Sequence, residues 1–228
     1  MKIGILTAGH VADQIKAEHG AYEHLFARFL DGRGFRFENW DVVDMAFPQG
    51  PQDADGWLVT GSKHGVYEDH AFIAPLEQLI RDIIAAGKPL IGVCFGHQII
   101  AQALGGHVEK FAGGWAVGAH MYDFEAGGSH KLNAWHQDQV IRLPQGAQTV
   151  ASNPFCAHAA VLYPGQAYTI QPHPEFENPV VEGLVAYRGR GIVPDDLLDI
   201  ATEHLGDAID NGSVADQFER FFKTKELS

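Results

Sequence analysis

The sequence predicts an α/β protein whose open, mostly parallel sheet carries helices on both faces. Short apolar runs alternate with helical patterns up to Gly105, and shorter β-like runs follow from there to about residue 171. No internal repeat or low-complexity segment interrupts the chain. Strands that alternate with helices form parallel sheets through crossover connections. The later β-like runs predict a mixed or antiparallel extension of the same sheet.

The elements of the first half follow one another closely. We expect strands over 2–8, 35–40, 57–60 and 89–93, and helices over 21–31, 72–86 and 95–104. Apolar residues recur at helical spacing in the first helix, and the strands are short apolar or alternating runs. Gly87 and Pro89 end the second helix, and Gly105 with Gly106 ends the third.

The second half predicts shorter and less regular elements. We expect β-like runs over 106–111, 115–124, 147–152, 159–163 and 167–171, and helices in the tail from about 179 to 223. A chain of 228 residues is long enough to bury one substantial core. We therefore expect one domain over 1–190 and a C-terminal helical extension over 191–228 that packs on the same domain.

Composition and charge exclude several classes of function. Acidic residues outnumber basic ones by 29 to 16, and the formal net charge is −13. Nucleic acids and anionic membranes bind clustered Lys and Arg, so neither kind of partner is expected. No apolar run reaches the roughly 18 residues that a membrane-spanning helix needs.

The cysteine and histidine content of the chain bears on its cellular compartment and on metal or cofactor binding. Two cysteines do not form a disulfide framework, so the sequence predicts a reducing, cytoplasmic setting. The 13 histidines are scattered, and no HExxH or paired CxxC motif is present. The sequence therefore predicts no metal site and no cofactor. His136 and Asp138 are better explained as a pocket wall or a loop contact than as a metal pair.

The segment around Cys94 is the most informative in the chain. A predicted strand ends at Val93 and a predicted helix begins at Phe95, so the cysteine lies at the turn between them. Gly92 and Gly96 permit the sharp, strained turn of a nucleophile elbow, and a helix N-terminus favours the thiolate. The alternative is a small buried cysteine, which does not need two flanking glycines.

His173 and Glu175 lie where the last predicted strand stops. Residues two apart in extended backbone point to the same side, so the two side chains can meet. A carboxylate bonded to one imidazole nitrogen leaves the other free to accept a thiol proton. Pro172 and Pro174 stiffen the pair, although a rigid surface loop with an incidental His and Glu is the alternative. With Cys94, the pair predicts a Cys–His–Glu catalytic triad.

These residues resemble the class I glutamine amidotransferase family. The family's G-x-C-x-G-x-Q and H-P-E motifs are matched by Gly92, Cys94, Gly96, Gln98, His173, Pro174 and Glu175, with further similar segments at 60–62, 102–106 and 136–140. The resemblance covers roughly residues 2–190 and implies a flavodoxin-like architecture. It is strongest to stand-alone members that are similar to the amidase half of GMP synthetase, which include γ-glutamyl peptidases.

The resemblance implies a mechanism and a set of site residues. Cys94 would attack the side-chain carbonyl of glutamine and form a γ-glutamyl thioester, with His173 as base and Glu175 as orienting acid. The implied oxyanion-hole donors are the backbone N–H groups of Gly61, Ser62 and Phe95. The implied substrate-binding residues are Gln98, Trp135, His136 and Gln137. For the first of these, the alternative is an amide buried in its helix.

The resemblance also implies substrates and partners. The expected substrate is glutamine or a related γ-glutamyl compound, and any ammonia-accepting synthetase would be a separate subunit, because no SGGxDS nucleotide loop is present. A γ-glutamyl peptidase that acts on glutathione-like peptides and a non-catalytic, thiol-sensing relative are the alternatives. Residues 60–64 replace the usual Gly-Gly-Pro and depart from the family pattern. Cys156 is expected to pack in the core rather than to pair with His158.

Overall fold

The computed structural model describes residues 1–227 and contains a nine-stranded sheet and a two-stranded ribbon. The strands are β1 (Lys2–Leu6), β2 (Arg36–Trp40), β3 (Gly56–Val59), β4 (Leu90–Val93), β5 (His107–Lys110), β6 (Ala116–Phe124), β7 (Gly128–His136), β8 (Asp138–Arg142), β9 (Gln148–Ser152), β10 (Ala160–Tyr163) and β11 (Ala167–Ile170). The large sheet has the order β2-β1-β3-β4-β11-β10-β9-β6-β7, and β5 pairs with β8 in the ribbon.

The large sheet confirms the predicted fold class. Strands β2, β1, β3, β4 and β11 run parallel, and Val93 at the end of β4 is paired with Ile170 at the end of β11. Strands β10, β9, β6 and β7 extend this sheet in antiparallel fashion. The carboxyl ends of β4 and β11 are therefore adjacent, at the edge where open α/β sheets bind ligands.

Helices cover both faces of the sheet. They are α1 (Asp13–His19), α2 (Tyr22–Phe29), α3 (Ile73–Ala85), α4 (Phe95–Ala103), α5 (Asn178–Leu184), α6 (Asp195–Glu203) and α7 (Asn211–Thr224), with a π-helical turn at Val185–Gly189 and 3₁₀ turns at Val42–Asp44 and Pro51–Asp53. No helix within residues 1–227 is long and apolar enough to cross a membrane.

Two large apolar clusters form most of the core, one on each side of the sheet, and a third, smaller cluster joins β6 to α6. Leu25 of α2 and Phe218 of α7 pack in one cluster with Ile5 of β1, whereas Ile80 of α3 and Ile99 of α4 belong to the other. Burial of these side chains is the main favourable contribution to folding. Helix α7 therefore contributes to the same apolar cluster as α2 and β1.

The structure differs from the sequence-based prediction in the middle of the chain. The run over 106–111 forms β5, but it pairs with β8 instead of joining the large sheet. Residues 128–136 form β7 and residues 138–142 form β8, although this polar, histidine-containing sequence has no clear two-residue alternation. The prediction also lacks α1, because its seven residues supply fewer than two turns of periodic signal. Tertiary pairing and packing, not local pattern, determine these elements.

Candidate active site

Cys94 lies at the carboxyl end of β4, immediately before α4. Its backbone has φ 54° and ψ −103°, a conformation that a residue with a Cβ adopts only under strain. Its N–H donates to the Ile170 carbonyl at 2.9 Å, and its carbonyl accepts from the Gln98 N–H at 3.1 Å. The cysteine is 5% exposed and lies at the N-terminal end of α4, the positive end of the helix dipole.

Close backbone contacts require the two glycines that flank Cys94. A methyl group on Gly96 would lie 2.2 Å from the Val59 carbonyl oxygen, and one on Gly92 would lie 2.5 Å from the Gly96 carbonyl oxygen. The Gly96 N–H also donates to the Thr60 carbonyl at 3.1 Å. The first turn of α4 therefore lies directly against the end of β3, and only glycine fits at these two positions.

His173 and Glu175 follow β11, the strand beside β4. Nδ1 of His173 lies 2.7 Å from Oε1 of Glu175, and both side chains are almost fully buried. The Cys94 and His173 side chains line the same cavity, and the charge of Cys94 acts on the imidazole. Oε2 of Glu175 has no hydrogen-bond partner within residues 1–227. The structure thus brings together the three side chains of the predicted triad.

Two further contacts fix the His173 ring. The His173 N–H donates to the carbonyl of Asn133 in β7 at 2.8 Å. Phe176 packs face to face on the imidazole, with 4.0 Å between ring centroids and 1° between ring planes. The Asn133 side-chain amide in turn donates to the Phe176 carbonyl at 2.9 Å. The segment that carries the imidazole is therefore anchored to β7 on its backbone and on its ring face.

The surroundings of His173 favour its protonated form. Burial by itself lowers the pKa of this imidazole, but the charges of Glu175 and Cys94 and the hydrogen bond to Glu175 raise it to about 10. At neutral pH the ring therefore carries a proton that it can donate to a leaving group.

A cavity of about 280 Å³ opens beside these side chains. Cys94 and His173 line it, whereas Glu175 does not reach it. The cavity is close to the lower limit of the usual size for small-molecule sites. Its position at the carboxyl ends of the parallel strands is the expected one for a ligand site in this fold class.

The residues predicted to form an oxyanion hole lie around this cavity. Ser62 lines it, and Gly61 and Phe95 do not. Gly61 nevertheless lies against His173, because a methyl group on its Cα would be 2.7 Å from Cε1 of the imidazole. The backbone N–H groups of these three predicted donors make no hydrogen bond to any residue within 1–227. They are therefore uncommitted donors near the sulfur.

A model of the glutamine amidotransferase class-I family matches residues 35–181, a segment that contains Cys94, His173 and Glu175. The chain belongs to the class I glutamine amidotransferase family. The match spans more than half of the chain and includes the parallel strands on which the candidate site is built.

This amidotransferase-family protein is similar to several named proteins and to a solved structure. It is 26% identical to a glutamine amidotransferase-like protein of Schizosaccharomyces pombe over 96% of this chain and 97% of that one. It is 27% identical to γ-glutamyl peptidase 3 of Arabidopsis thaliana over 75% of both chains. The 32% identity to a GMP synthase of Macrococcus caseolyticus covers 53% of this chain and 24% of that protein. The crystal structure of a glutamine amidotransferase from Thermotoga maritima has the same fold, with a TM-score of 0.75 at 22% identity over 97% of this chain and 99% of that one.

The predicted substrate-binding residues of this amidotransferase-family protein all line the cavity. They are Gln98, Trp135, His136 and Gln137. Nε2 of Gln98 donates to the Asp138 carbonyl at 2.8 Å and to Oε1 of Gln171 at 3.1 Å. The amide nitrogen is therefore satisfied by the protein, as in the buried-amide alternative, and the amide oxygen is what remains for a ligand.

His136 is the least satisfied polar side chain of the cavity wall. It is 3% exposed, and neither ring nitrogen has a hydrogen-bond partner within residues 1–227. Burial lowers the pKa of this imidazole to about 3, so the ring is neutral at physiological pH. Buried polar atoms in native proteins are almost always paired, so these two nitrogens are candidates to bind a ligand or water.

Sequence reasoning missed three residues of the site. Tyr22 at the start of α2 and Arg188 in the π-helical turn line the cavity, and Asn133 fixes the His173 backbone. Burial and the charge of Glu175 raise the pKa of Tyr22, whereas the charge of Arg188 lowers it. No motif marks these residues, because each comes from an element distant in sequence from Cys94.

The second cysteine lies apart from the cavity. Cys156 is 2% exposed and packs in the same core cluster as Tyr122. Burial raises the pKa of its thiol to about 12, so it is not a ready nucleophile. His158 is bonded to Thr149, with 2.6 Å between Nδ1 and Oγ1.

Proposed function

We propose that the protein hydrolyses γ-glutamyl amide bonds through a thioester on Cys94, with glutamine as the simplest substrate. The observation that supports this most directly is the 2.7 Å contact between His173 and Glu175, which are buried beside Cys94. A bonded carboxylate holds an imidazole in one orientation and stabilises its charged form. The family assignment supports the same class of reaction.

The proposed reaction has two halves. The Cys94 sulfur attacks the γ-carbonyl carbon, the carbon–nitrogen bond breaks, and the leaving nitrogen takes the proton of His173. The neutral imidazole then removes a proton from water, whose oxygen attacks the thioester carbonyl. Glutamate leaves, and the sulfur anion and the protonated imidazole are restored. In each half, the N–H groups of Gly61, Ser62 and Phe95 would stabilise the oxyanion, usually the largest single contribution to such catalysis.

The charges of the cavity favour a second candidate, a γ-glutamyl peptidase. Three cations, Lys63, Lys110 and Arg188, line the cavity, and none has an ion-pair partner within residues 1–227. Three cations on one cavity contrast with the net charge of −13 of the whole chain. A γ-glutamyl peptide carries a second carboxylate beyond the scissile bond, which such cations bind. Glutamine has no such group.

Substrate assays distinguish these two candidates. The purified protein is incubated separately with glutamine and with glutathione, and ammonia and free glutamate are measured. Ammonia from glutamine supports an amidotransferase-type glutaminase, above all if a synthetase partner increases it. Glutamate released mainly from glutathione supports the peptidase. Failure to hydrolyse either substrate contradicts the proposal.

The role of Cys94 is tested by the same assays. We expect Cys94→Ser to lower turnover by at least about 10⁴-fold while the fold is kept, because the weaker hydroxyl nucleophile replaces the thiolate. A reactive glutamine analogue should label Cys94 and leave Cys156 unmodified. A fully active serine variant, or labelling confined to Cys156, would refute the mechanism. Both cysteines are unpaired, which fits the proposed reducing, cytoplasmic setting.

A further inference from the structure

The segment between β3 and α3 carries two histidines and one glutamate at the edge of the cavity. One possible ligand atom from each of His64, Glu68 and His70 lies within 4.8 Å of the other two. Oε2 of Glu68 lies 2.7 Å from Nε2 of His70 and 3.7 Å from Nδ1 of His64. We propose that these three side chains form a binding site for a first-row divalent metal ion, for which Zn²⁺ is the test ion.

The donor set fits such an ion. Imidazole nitrogens and a carboxylate oxygen are the ligands that zinc and its first-row neighbours take from proteins. Three protein ligands leave at least one coordination position open to water or another small ligand. The Glu68 carboxylate and the His70 ring are partly exposed, so an ion can reach them from solvent.

The cluster is held in place by the structure below it. The rings of His64 and His70 both contact buried Phe72, each at 5.9 Å between ring centroids, and Phe72 in turn contacts Phe95 at 6.0 Å. Ligands whose positions are fixed by packing lose little entropy when they bind a metal.

Backbone hydrogen bonds hold the same segment. The Glu68 N–H donates to the Gly65 carbonyl at 3.1 Å, and the His70 N–H donates to the Glu68 carbonyl at 3.0 Å. Gln102 of α4 anchors the segment by donating to the Val66 carbonyl at 2.7 Å. The three side chains are therefore presented by a defined turn.

The proposed site shares a wall with the candidate active site. His64 and Glu68 line the same cavity as Cys94. A cation there would add positive charge where an anionic substrate enters. Metal binding itself does not depend on the proposed hydrolysis, so the two proposals fail separately.

Zinc titration of the metal-free Cys94→Ser protein tests the proposal, because the serine removes the thiolate that would otherwise bind zinc. We expect saturable binding of one equivalent by calorimetry. Adding His70→Ala should weaken this binding by at least about 100-fold, since it removes one of three ligands. Cobalt in place of zinc should give a spectrum of nitrogen and oxygen ligands without a thiolate band, in the Cys94→Ser protein as in the wild type.

A matched control is His10→Ala in the same background. His10 also lines the cavity and bonds a carboxylate, Asp44 at 2.9 Å, but it lacks a third ligand. We expect zinc affinity to be unchanged in this variant. Thermal unfolding without metal checks that each variant is folded. Equal zinc affinity with and without His70, or no saturable binding in the parent, overturns the proposal.

Discussion

At residue 94 the backbone that positions the sulfur adopts a conformation that residues with a Cβ disfavour. A side chain at φ 54° is strained, and such strain costs of order 1–3 kcal/mol. The hydrogen bonds to Ile170 and Gln98 hold the residue there nonetheless. The expected benefit is an exposed direction of attack into the cavity, as in other strand-to-helix elbows.

The strain at Cys94 predicts a difference between two inactive variants. Both Cys94→Ala and Cys94→Gly lose the nucleophile, but only glycine adopts this backbone conformation without a Cβ penalty. We expect Cys94→Gly to exceed Cys94→Ala in free energy of unfolding by about 1 kcal/mol, the strain relieved less the greater chain entropy of glycine. Urea unfolding measures the difference. An alanine variant as stable as the glycine variant, or more so, would show that the turn is unstrained.

Individual residues of the site were predictable only where a local pattern marks them. Cys94 lies between glycines at the end of an apolar run, and His173 and Glu175 lie two apart between prolines. Tyr22, Asn133 and Arg188 have no such neighbours, and they reach the site only through the packing of α2, β7 and the π-helical turn. The same holds for His64, Glu68 and His70, whose spacing matches no common metal motif.

At the scale of elements, the contact between α4 and β3 determines where the sulfur lies. The first turn of α4 approaches Val59 so closely that a Cβ at Gly96 would collide with backbone. An added methyl group there cannot be accommodated by a side-chain rotation, so the helix must move.

We expect Gly96→Ala to lower the free energy of unfolding by at least about 2 kcal/mol and to reduce activity in the remaining folded protein. Gly212→Ala in α7 is the matched control, because within residues 1–227 its added methyl group would have no atom within 4 Å beyond its chain neighbours and its own helix backbone. Alanine is the better helix former, so this control should be stabilised by roughly 0.5 kcal/mol. Denaturant titration compares both variants with the wild type. A Gly96→Ala protein as stable as the wild type would contradict the close contact.

The π-helical turn at Val185–Gly189 presents Arg188 to the cavity, and such turns are frequent at functional sites. We expect Arg188→Gln to raise KM for a γ-glutamyl substrate by about 10- to 100-fold with a smaller change in kcat, because it removes a charged contact to a substrate carboxylate. Arg190→Gln is the control, since Arg190 is exposed, donates a hydrogen bond to Asp195 and does not line the cavity. Steady-state kinetics of both variants and of the wild type test this prediction. A KM of Arg188→Gln equal to that of the wild type would exclude Arg188 from substrate binding.

The predictability of the elements follows their burial pattern. The inner parallel strands β3 and β4 are apolar throughout and α3 has a regular apolar stripe, so they are visible in the sequence. β7 is exposed at its start and buried mainly near its end, which removes the alternation that would mark it. The pairing of β5 with β8 is not encoded locally, because partner choice depends on the whole sheet.

At the scale of the whole molecule, buried histidines make stability depend on pH. Burial lowers the folded-state pKa of His97 and His136 from 6.5 to about 3. Their contribution is complete above pH 6.5 and is lost as pH falls from there toward 3. His173 has the opposite sign: with a folded-state pKa of about 10, its contribution is complete below pH 6.5 and is lost as pH rises toward 10.

We therefore expect the free energy of unfolding to be greatest near pH 6.5 and to fall on both sides. The acid side should be the steeper one, because five histidines have a lowered pKa, namely His64, His97, His120, His136 and His158, whereas His173 is the one histidine within residues 1–227 whose pKa is raised. Urea unfolding across this range measures both slopes. His173→Gln should flatten the alkaline side alone, and His97→Gln should reduce the acid slope alone. An unchanged alkaline slope in His173→Gln would contradict the raised pKa.

The last strand of the large sheet has a further consequence for the behaviour of the protein in solution. An outermost strand with open backbone groups is a template on which other molecules add and aggregate. Here the Lys131 N–H donates to the Asp210 carboxylate, and the Lys131 and Asn133 carbonyls accept from the N–H groups of Asp210 and His173, so other parts of the same chain occupy these positions of the outer edge. The contact that anchors the imidazole segment thus also closes part of this edge to strand addition.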